Sequence, residues 1–493
     1  MNSVFTVEQV KAMKEQVFLF KQGSYLYIEG DEDSSKIYII RKGVIRLECN
    51  NRWMKDITRN LGDGDIVGFT SALCDRPRTE SAVAMIDSHI VVINKQDFLK
   101  RVLGNPTLAV RIINYFAQQL RDYDDMIFIG KNYNEKQLPF SAKLLQDTKF
   151  YDKVGLASAA YYMGNALVKY YPHSSEATEA VGIVQRIKAS AQPIHVAATQ
   201  NGIYRNYDDK QVIFCENEPG DELFIVKSGR VKIVRQRDGM ELVISVLNQG
   251  EIFGELAILS SKPRNASAIS IGKSTVLPIN QAALLKLVEK SPIILKKIFT
   301  AISSRVWFTH IRLDTTTYKK QITKIYALLR NKLMEERVSL QSTDPHLFSF
   351  GFNELKSMVD MTPGNDSIID DDILSDPNLR IQMGQVVVLK PKLLASKARY
   401  YISRDGIKGL GEGSEKVNER LIQQEAQDIP AADVGELFSD DETIAEQNFD
   451  FSEPDYSIKS PDANNESDAY EKESANSELL SEFNNFDDFS ELE

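Results

Sequence analysis

Apolar and polar residues alternate in short runs over the first hundred positions and again from about 204 to 280. Ile37-Tyr38-Ile39-Ile40 and Leu223-Phe224-Ile225-Val226 are representative, with glycines punctuating the sequence around them. Runs of this kind predict short strands joined by tight turns. The spacing then changes. After Pro106 and after Pro292 the pattern turns helical; Leu295, Ile298, Ile302, Val306 and Thr309 share one face. A helix is expected to follow each strand-rich block. Between 135 and 191, Ala157, Ala160, Ala166, Ala177 and Ala180 predict closely approaching helices, with Pro172 ending one of them.

The two strand-rich blocks are copies of each other. Gly43 matches Gly229, Gly64 matches Gly250 and Gly68 matches Gly254, each pair 186 positions apart. Pro77-Arg78 falls on Pro263-Arg264 and Pro106 on Pro292 at the same offset. A constant offset from Gly43 to Pro106 marks duplication of a whole domain. Short strands with frequent turns fit a small jelly-roll barrel.

The most informative stretch is Phe253-Gly254-Glu255-Leu256-Ala257 followed by Pro263-Arg264-Asn265-Ala266. Gly254 lets the backbone approach a ligand, and the amides of the following turn can face an anion. Arg264 offers a forked, charge-assisted contact to phosphate oxygens. Glu255 only accepts when ionised, so it suits ribose hydroxyls and repels bare phosphate. With Gly220-Asp221-Glu222-Leu223 and Gly229-Arg230-Val231 upstream, this pattern resembles the phosphate-binding cassette of cyclic nucleotide-binding domains. The resemblance implies a phosphate site at Gly254, Arg264, Asn265 and Ala266, and a ribose site at Glu255.

The first copy departs from the pattern where the chemistry would sit. Phe69 stands at the ribose-acid position and cannot accept hydroxyls. Glu80 stands in the small-residue region after Arg78, and an Arg78–Glu80 contact is the simplest expectation for the pair. The copy therefore reads as a degenerate, more structural domain.

From 199 to 402 the chain resembles the bacterial Crp/Fnr (catabolite activator) family. The resemblance places Thr309 and His310 against the base, through the helix that closes the site. It also makes residues 292–313 the seam of a homodimer. Tyr318 to Leu333, Phe352 to Val359, Met361-Thr362-Pro363 and the run from Asn378 to Leu389 resemble a winged helix. Its recognition segment, 364–374, carries Asp366, Asp370, Asp371 and Asp372 and no lysine or arginine. Such a helix is repelled by DNA phosphates and lacks the groups that read guanine. Lys390, Lys392, Lys397 and Arg399 near the wing remain as phosphate contacts. The helices around 135–191 resemble one tetratricopeptide-like (TPR-like) hairpin, expected to pack between the barrels because one unit cannot bury its face alone.

Charge and composition sharpen this picture. The net charge of −11 averages a basic body with an acidic segment from Gly411 onward, whose cations are Lys416, Arg420, Lys459 and Lys472. That segment reads as disordered, with acid–aromatic clusters at Phe449–Phe451 and Phe483–Phe489. Three cysteines give no framework and no metal spacing, which points to a reducing, cytoplasmic setting. No run is long enough to span a membrane. His89, His173, His195, His310 and His346 are scattered, and no nucleophile–base arrangement accompanies them.

The expected architecture is α+β and multidomain. It comprises a degenerate cyclic nucleotide-binding-like domain (1–130), a helical spacer (131–198), a cyclic nucleotide-binding domain (199–314), a winged-helix-like domain (315–402) and an acidic tail (403–493). The expected function is non-enzymatic reception of a cyclic mononucleotide, with cyclic AMP favoured over cyclic GMP, no metal, and output to a protein partner. A DNA-binding regulator and a ligand-free scaffold are the alternatives.

Overall fold

The structure is a computed structural model. It describes residues 4–405 apart from 12, 14, 50–58, 130–137, 191–193, 195–197, 238, 261, 285–291 and 360–372. Most of the acidic recognition segment (364–372) and nearly all of the acidic tail (406–493) lie outside the described residues, as do Met361, Thr362 and Pro363.

The first barrel follows a short helix α1 (Val7–Lys11). Its strands are β1 (Val17–Phe20), β2 (Tyr25–Tyr27), β3 (Lys36–Lys42), β4 (Ile45–Glu48), β5 (Arg59–Leu61), β6 (Ile66–Val67), β7 (Ser81–Ala84) and β8 (Ser88–Asn94). They form two four-stranded sheets, β1-β8-β3-β6 and β2-β7-β4-β5. Helix α2 (Phe69–Cys74) follows β6, and α3 (Lys95–Leu103) and the long α4 (Pro106–Ile129) follow β8. Tyr38, Ile40, Ile45, Leu47, Ala82 and Ile90 fill the space between the sheets.

The spacer is three helices rather than one hairpin: α5 (Phe140–Lys153), α6 (Ala157–Tyr170) and α7 (Ser175–Ala189), each touching the other two. Pro172 lies in the α6–α7 turn, where its missing N–H is harmless. Gly164 on α6 lies against the Val184 side chain of α7, so a larger residue there would have to push it away.

The second barrel has β9 (Thr199–Asn201), β10 (Tyr204–Tyr207), β11 (Val212–Phe214), β12 (Glu222–Arg237), β13 (Met240–Leu247), β14 (Ile252–Phe253) and β15 (Ser267–Asn280), with α8 (Glu255–Ser260) after β14. The 186-residue offset carries element onto element. Adding it to 66–67, 69–74 and 81–94 gives β14, α8 and β15. The copies differ in continuity. β12 runs through Gly229 where β3 and β4 are separated at Gly43, so the second barrel forms one seven-stranded sheet. At both glycines an added methyl would run into the facing strand, at Ser88 or at Lys273 and Ser274, and both have positive φ.

The C-terminal body contains α9 (Pro292–Thr317), α10 (Gln321–Glu335), β16 (His346–Leu347), α11 (Phe352–Met358), β17 (Leu379–Gln382), β18 (Gln385–Val388) and α12 (Pro391–Arg404). β17 and β18 form a hairpin turned at Met383 and Gly384, both with positive φ. One core joins this body to the spacer and to the outer face of the second barrel, through Leu144, Met163, Val212, Val243, Leu329 and Phe350 among others. The expectation that the spacer packs between the two barrels is therefore corrected. Its side chains meet the second barrel, Tyr151 at Glu241, Tyr162 at Glu218 and Tyr171 at the Asn217 carbonyl, and share one core with it.

The long helices α4 and α9 pack on each other, and each reaches across to the opposite barrel. α9 lies against α2 of the first barrel, and α4 lies against α8 of the second. Ile298, Ile302 and Val306 of α9 are buried in this way within one chain. The surface expected to form a homodimer seam is thus covered internally.

Candidate functional site

The cassette of the second barrel is built at the junction of β14, α8 and the start of β15. Gly254 has φ 76°, a value that disfavours other residues. Its carbonyl accepts a hydrogen bond from Arg264 Nη1 at 2.6 Å. A methyl at Gly254 would lie 2.7 Å from that nitrogen, and one at Gly220 would overlap the same guanidinium. Two glycines therefore make room for one arginine. Arg264 is 5% exposed, and its guanidinium lies 4.2 Å from the centre of the Phe214 ring. Its Nε is buried without a hydrogen-bond partner. Burial lowers its pKa, while Glu218, the leading acid around it, supports the charge.

Glu255 is buried at the N-terminal end of α8. One carboxylate oxygen pairs with Arg305 Nη1 of α9 at 2.5 Å, and the other is buried without a hydrogen-bond partner. Arg305 also donates to the Ile252 carbonyl. Arg305 is not among the site residues expected from the sequence; the ion pair makes it part of the site. Ala266 is buried beside Arg264, where a small side chain is required.

Asn265 turns outward from its own barrel, and its Nδ2 donates to Asp124 of α4 at 3.0 Å. Asp124 is 4% exposed, and burial pushes its carboxyl up to about 7 against the pull of Arg235 and Arg312. Its neighbour Asp125 pairs with Arg235 of β12 at 2.9 Å. Thus the helix that follows the first barrel supplies acids to the second.

The reciprocal crossing corrects the expected role of His310. That residue lies against the first barrel. Its Nε2 is 3.5 Å from Cys49 Sγ, its ring meets Tyr123 edge-on, and it contacts the Thr79 backbone. Burial and the nearby Arg59 push its pKa down to about 3, so it is neutral. Thr309 is half-buried on the same helix.

In the first barrel Arg78 repeats the posture of Arg264. It is 3% exposed and donates to the carbonyls of Gly68 and, at 2.7 Å, Lys36. Its guanidinium lies 4.5 Å from the Tyr27 ring centre. The other two positions differ. Phe69 packs on Tyr115 and Phe116 of α4, with centroids 5.2 and 4.8 Å away. Glu80 forms a half-buried ion pair with Arg59, not with Arg78 as expected. Around Phe69, Glu80, Tyr115 and Gln119 there remains a cavity of about 10 Å³, room for about one water. Aromatic rings and an internal salt bridge thus fill the place of a ligand.

Among the described residues, no group of three or more His, Cys, Asp and Glu is arranged to hold a metal. No described helix is long and apolar enough to cross a membrane.

The comparisons agree with this geometry. The model of the cyclic nucleotide-binding domain matches residues 17–104 and 204–291. The cyclic AMP receptor protein of Thermus thermophilus is 27% identical over 128 residues, covering 26% of this chain and 59% of that protein. A CRP-like cAMP-activated global transcriptional regulator of Mycobacterium tuberculosis is 31% identical over 127 residues, covering 25% and 55%. The cAMP-dependent protein kinase regulatory subunit of Dictyostelium discoideum is 21% identical over 268 residues, covering 53% and 62%. The chain thus spans less than two thirds of each relative. Two barrels, each with a buried cassette arginine, and two matches to one domain model lead to one statement: the chain carries two segments similar to the cyclic nucleotide-binding domain, and it resembles the Crp/Fnr regulators.

Proposed function

We propose that the protein is a non-enzymatic cyclic nucleotide receptor whose second barrel takes the ligand, with cyclic AMP favoured. One observation carries the reading. Glu255 and Arg264 are both buried, and each keeps one polar atom without a partner, Oε2 and Nε. Unsatisfied buried polar atoms are costly, and ribose hydroxyls and a phosphate would satisfy both. The first barrel is the structural partner, its place filled by Phe69 and the Arg59–Glu80 pair. Cyclic AMP is favoured by Thr309 and by the ligand named for the bacterial relatives; cyclic GMP, suggested by the polar Asn265, is the competitor.

Ribose at Glu255 competes with Arg305 for the carboxylate, so ligand binding bears directly on α9. A ligand shifts a conformational equilibrium by its differential contacts with the two states. Arg312, two turns further along α9, donates to the carbonyls of Val243, Ile244 and Met358. Motion of α9 would thus reach the C-terminal body, a degenerate winged helix that serves a protein partner in this reading. Calorimetry of the full chain with cyclic AMP and cyclic GMP tests the proposal. Absence of saturable heat with either, from folded protein, would sink it. Gel-shift selection over random DNA tests the competing DNA-binding reading, which the four aspartates of 364–374 disfavour.

A further inference from the structure

A cavity of about 280 Å³ lies where α6 of the spacer meets the second barrel. It is separate from the cassette, and α6 belongs to neither segment matched by the domain model. Its wall is one face of α6. Tyr162 and Tyr170 stand two turns apart in one row, and Tyr161, Asn165 and Lys169 form the adjacent row, each four positions after the last. Glu218, 6% exposed, closes it from the barrel side. The Tyr162 hydroxyl lies 3.3 Å from a Glu218 oxygen, and Cys215 Sγ donates to the same carboxylate at 3.2 Å.

We propose that this cavity binds a small organic cation, a guanidinium or alkylammonium group. Three observations select that class. Tyrosine faces attract cations through the ring quadrupole, and the chain already uses one: Lys169 Nζ sits 4.7 Å from the centre of Tyr170. Glu218 is a buried acid that accepts hydrogen bonds from Tyr162 and Cys215, and burial lifts its carboxyl to about 7, with the Cys215 hydrogen bond and Arg264 opposing. A cation placed on it offsets the desolvation of its charge. An anion in the cavity would meet that charge directly, and a neutral guest would add nothing to the support that Arg264 already gives it. Lys169 is exposed and is the protein's own cation against Tyr170 and near Glu218, so an entering guest takes its place.

Glu218 also links the cavity to the cassette. It is the leading acid supporting the charge of Arg264, and its backbone carbonyl accepts from the Arg264 amide at 2.9 Å. A cation that takes up the Glu218 charge leaves Arg264 for a phosphate, so the two ligands assist each other. This coupling rests on the second barrel being the nucleotide site; the cation site does not.

Calorimetry of the full chain with N-acetyl-arginine amide and N-acetyl-lysine amide, both monocations, tests the site without nucleotide. The neutral isostere N-acetyl-citrulline amide is the control. Saturable heat from at least one cation, with none from the citrulline compound, is expected. Glu218→Gln and Tyr161→Ala should each weaken the cation by about tenfold, with thermal melts confirming that both variants fold. Equal binding of arginine and citrulline compounds, no saturable heat at millimolar concentrations, or unchanged affinity in both folded variants overturns the proposal. A second titration, with cyclic AMP present, reads the coupling. Tighter cation binding supports it. Cation binding that ignores a nucleotide shown to bind refutes the coupling alone. Cation binding with no nucleotide binding refutes the receptor reading and leaves the cation site standing.

Discussion

Arg121 and Trp307 occupy the same position in the two copies, 186 residues apart, and each donates to the carbonyl of the other copy's cassette proline. Trp307 Nε1 bonds Pro77 at 2.8 Å, and Arg121 Nη2 bonds Pro263 at 2.9 Å. Asp124 at Asn265 and His310 at Thr79 repeat the relation three positions later. The chain thus contains a two-fold arrangement, with different chemistry at each symmetric point.

Removing Trp307 tests what holds the halves together. Its side chain is buried with Cys74 and Phe308, and Arg76 lies over both rings. Trp307→Ala is expected to cost about 3–5 kcal/mol. In scanning calorimetry the first barrel should melt separately from the rest. A single transition at the wild-type temperature would contradict the crossed packing.

The two cassette arginines should respond differently. Arg264→Ala should lower cyclic nucleotide affinity by about 100-fold, because a phosphate would lose its charge-assisted partner. Arg78→Ala should leave affinity within a factor of about two and lower stability, since Arg78 bonds backbone beside a filled cavity. Equal losses of affinity would make the first barrel a ligand site.

Gly254→Ala should impair the second site without replacing any charged residue. The positive φ costs about 1–2 kcal/mol for an L-residue, and the new methyl displaces Arg264. Nucleotide affinity should fall while the fold persists by circular dichroism. Wild-type affinity would show that the Arg264 posture is irrelevant to binding.

Asp124 and His310 should give opposing pH slopes. Asp124 has a folded pKa near 7, raised from 3.8, so the native state keeps a proton that the unfolded chain releases above about pH 4. Its contribution falls as pH rises through that window. It faces Asn265, Arg235, Arg305, Arg312 and Asp125. His310, lowered from 6.5 to about 3, lacks a proton that the unfolded chain binds, so its contribution falls as pH drops below about 6.5. It faces Cys49, Thr79, Tyr123 and Arg59. Asp124→Asn removes the first slope, and its stability relative to wild type should climb between about pH 4 and 7, by at most about 1.4 kcal/mol per pH unit. Parallel urea-denaturation curves across that range would refute the assignment.

Much of the fold could be read because duplication leaves an invariant offset. Gly43, Gly68 and Arg78 each name a partner, and β14, α8 and β15 begin and end where the offset from the first copy places them. The cassette was equally legible, since glycine, acid and arginine carry its chemistry locally. The crossing was not. An offset says which residues are equivalent but not which barrel a helix faces, so His310 pointed to the wrong site. Arg305 was hidden because a charge on an apolar stripe looks like an interruption until its acid is placed beside it. Glu80 was assigned to Arg78 by nearness in sequence, whereas the fold brings Arg59 closer. The spacer's first helix, α5, has weaker small-residue patterning than the other two, and the spacer's docking surface is set by tertiary contacts.

The α4–α9 crossing also changes what dilution and mutation can do. Where such helices come from two identical chains, every substitution appears twice and the pair dissociates as concentration falls. Here a single polypeptide keeps both helices at a fixed effective concentration. One half can therefore diverge in sequence from the other, and the α4–α9 pairing within the chain is the same in a dilute extract as in a crowded cell.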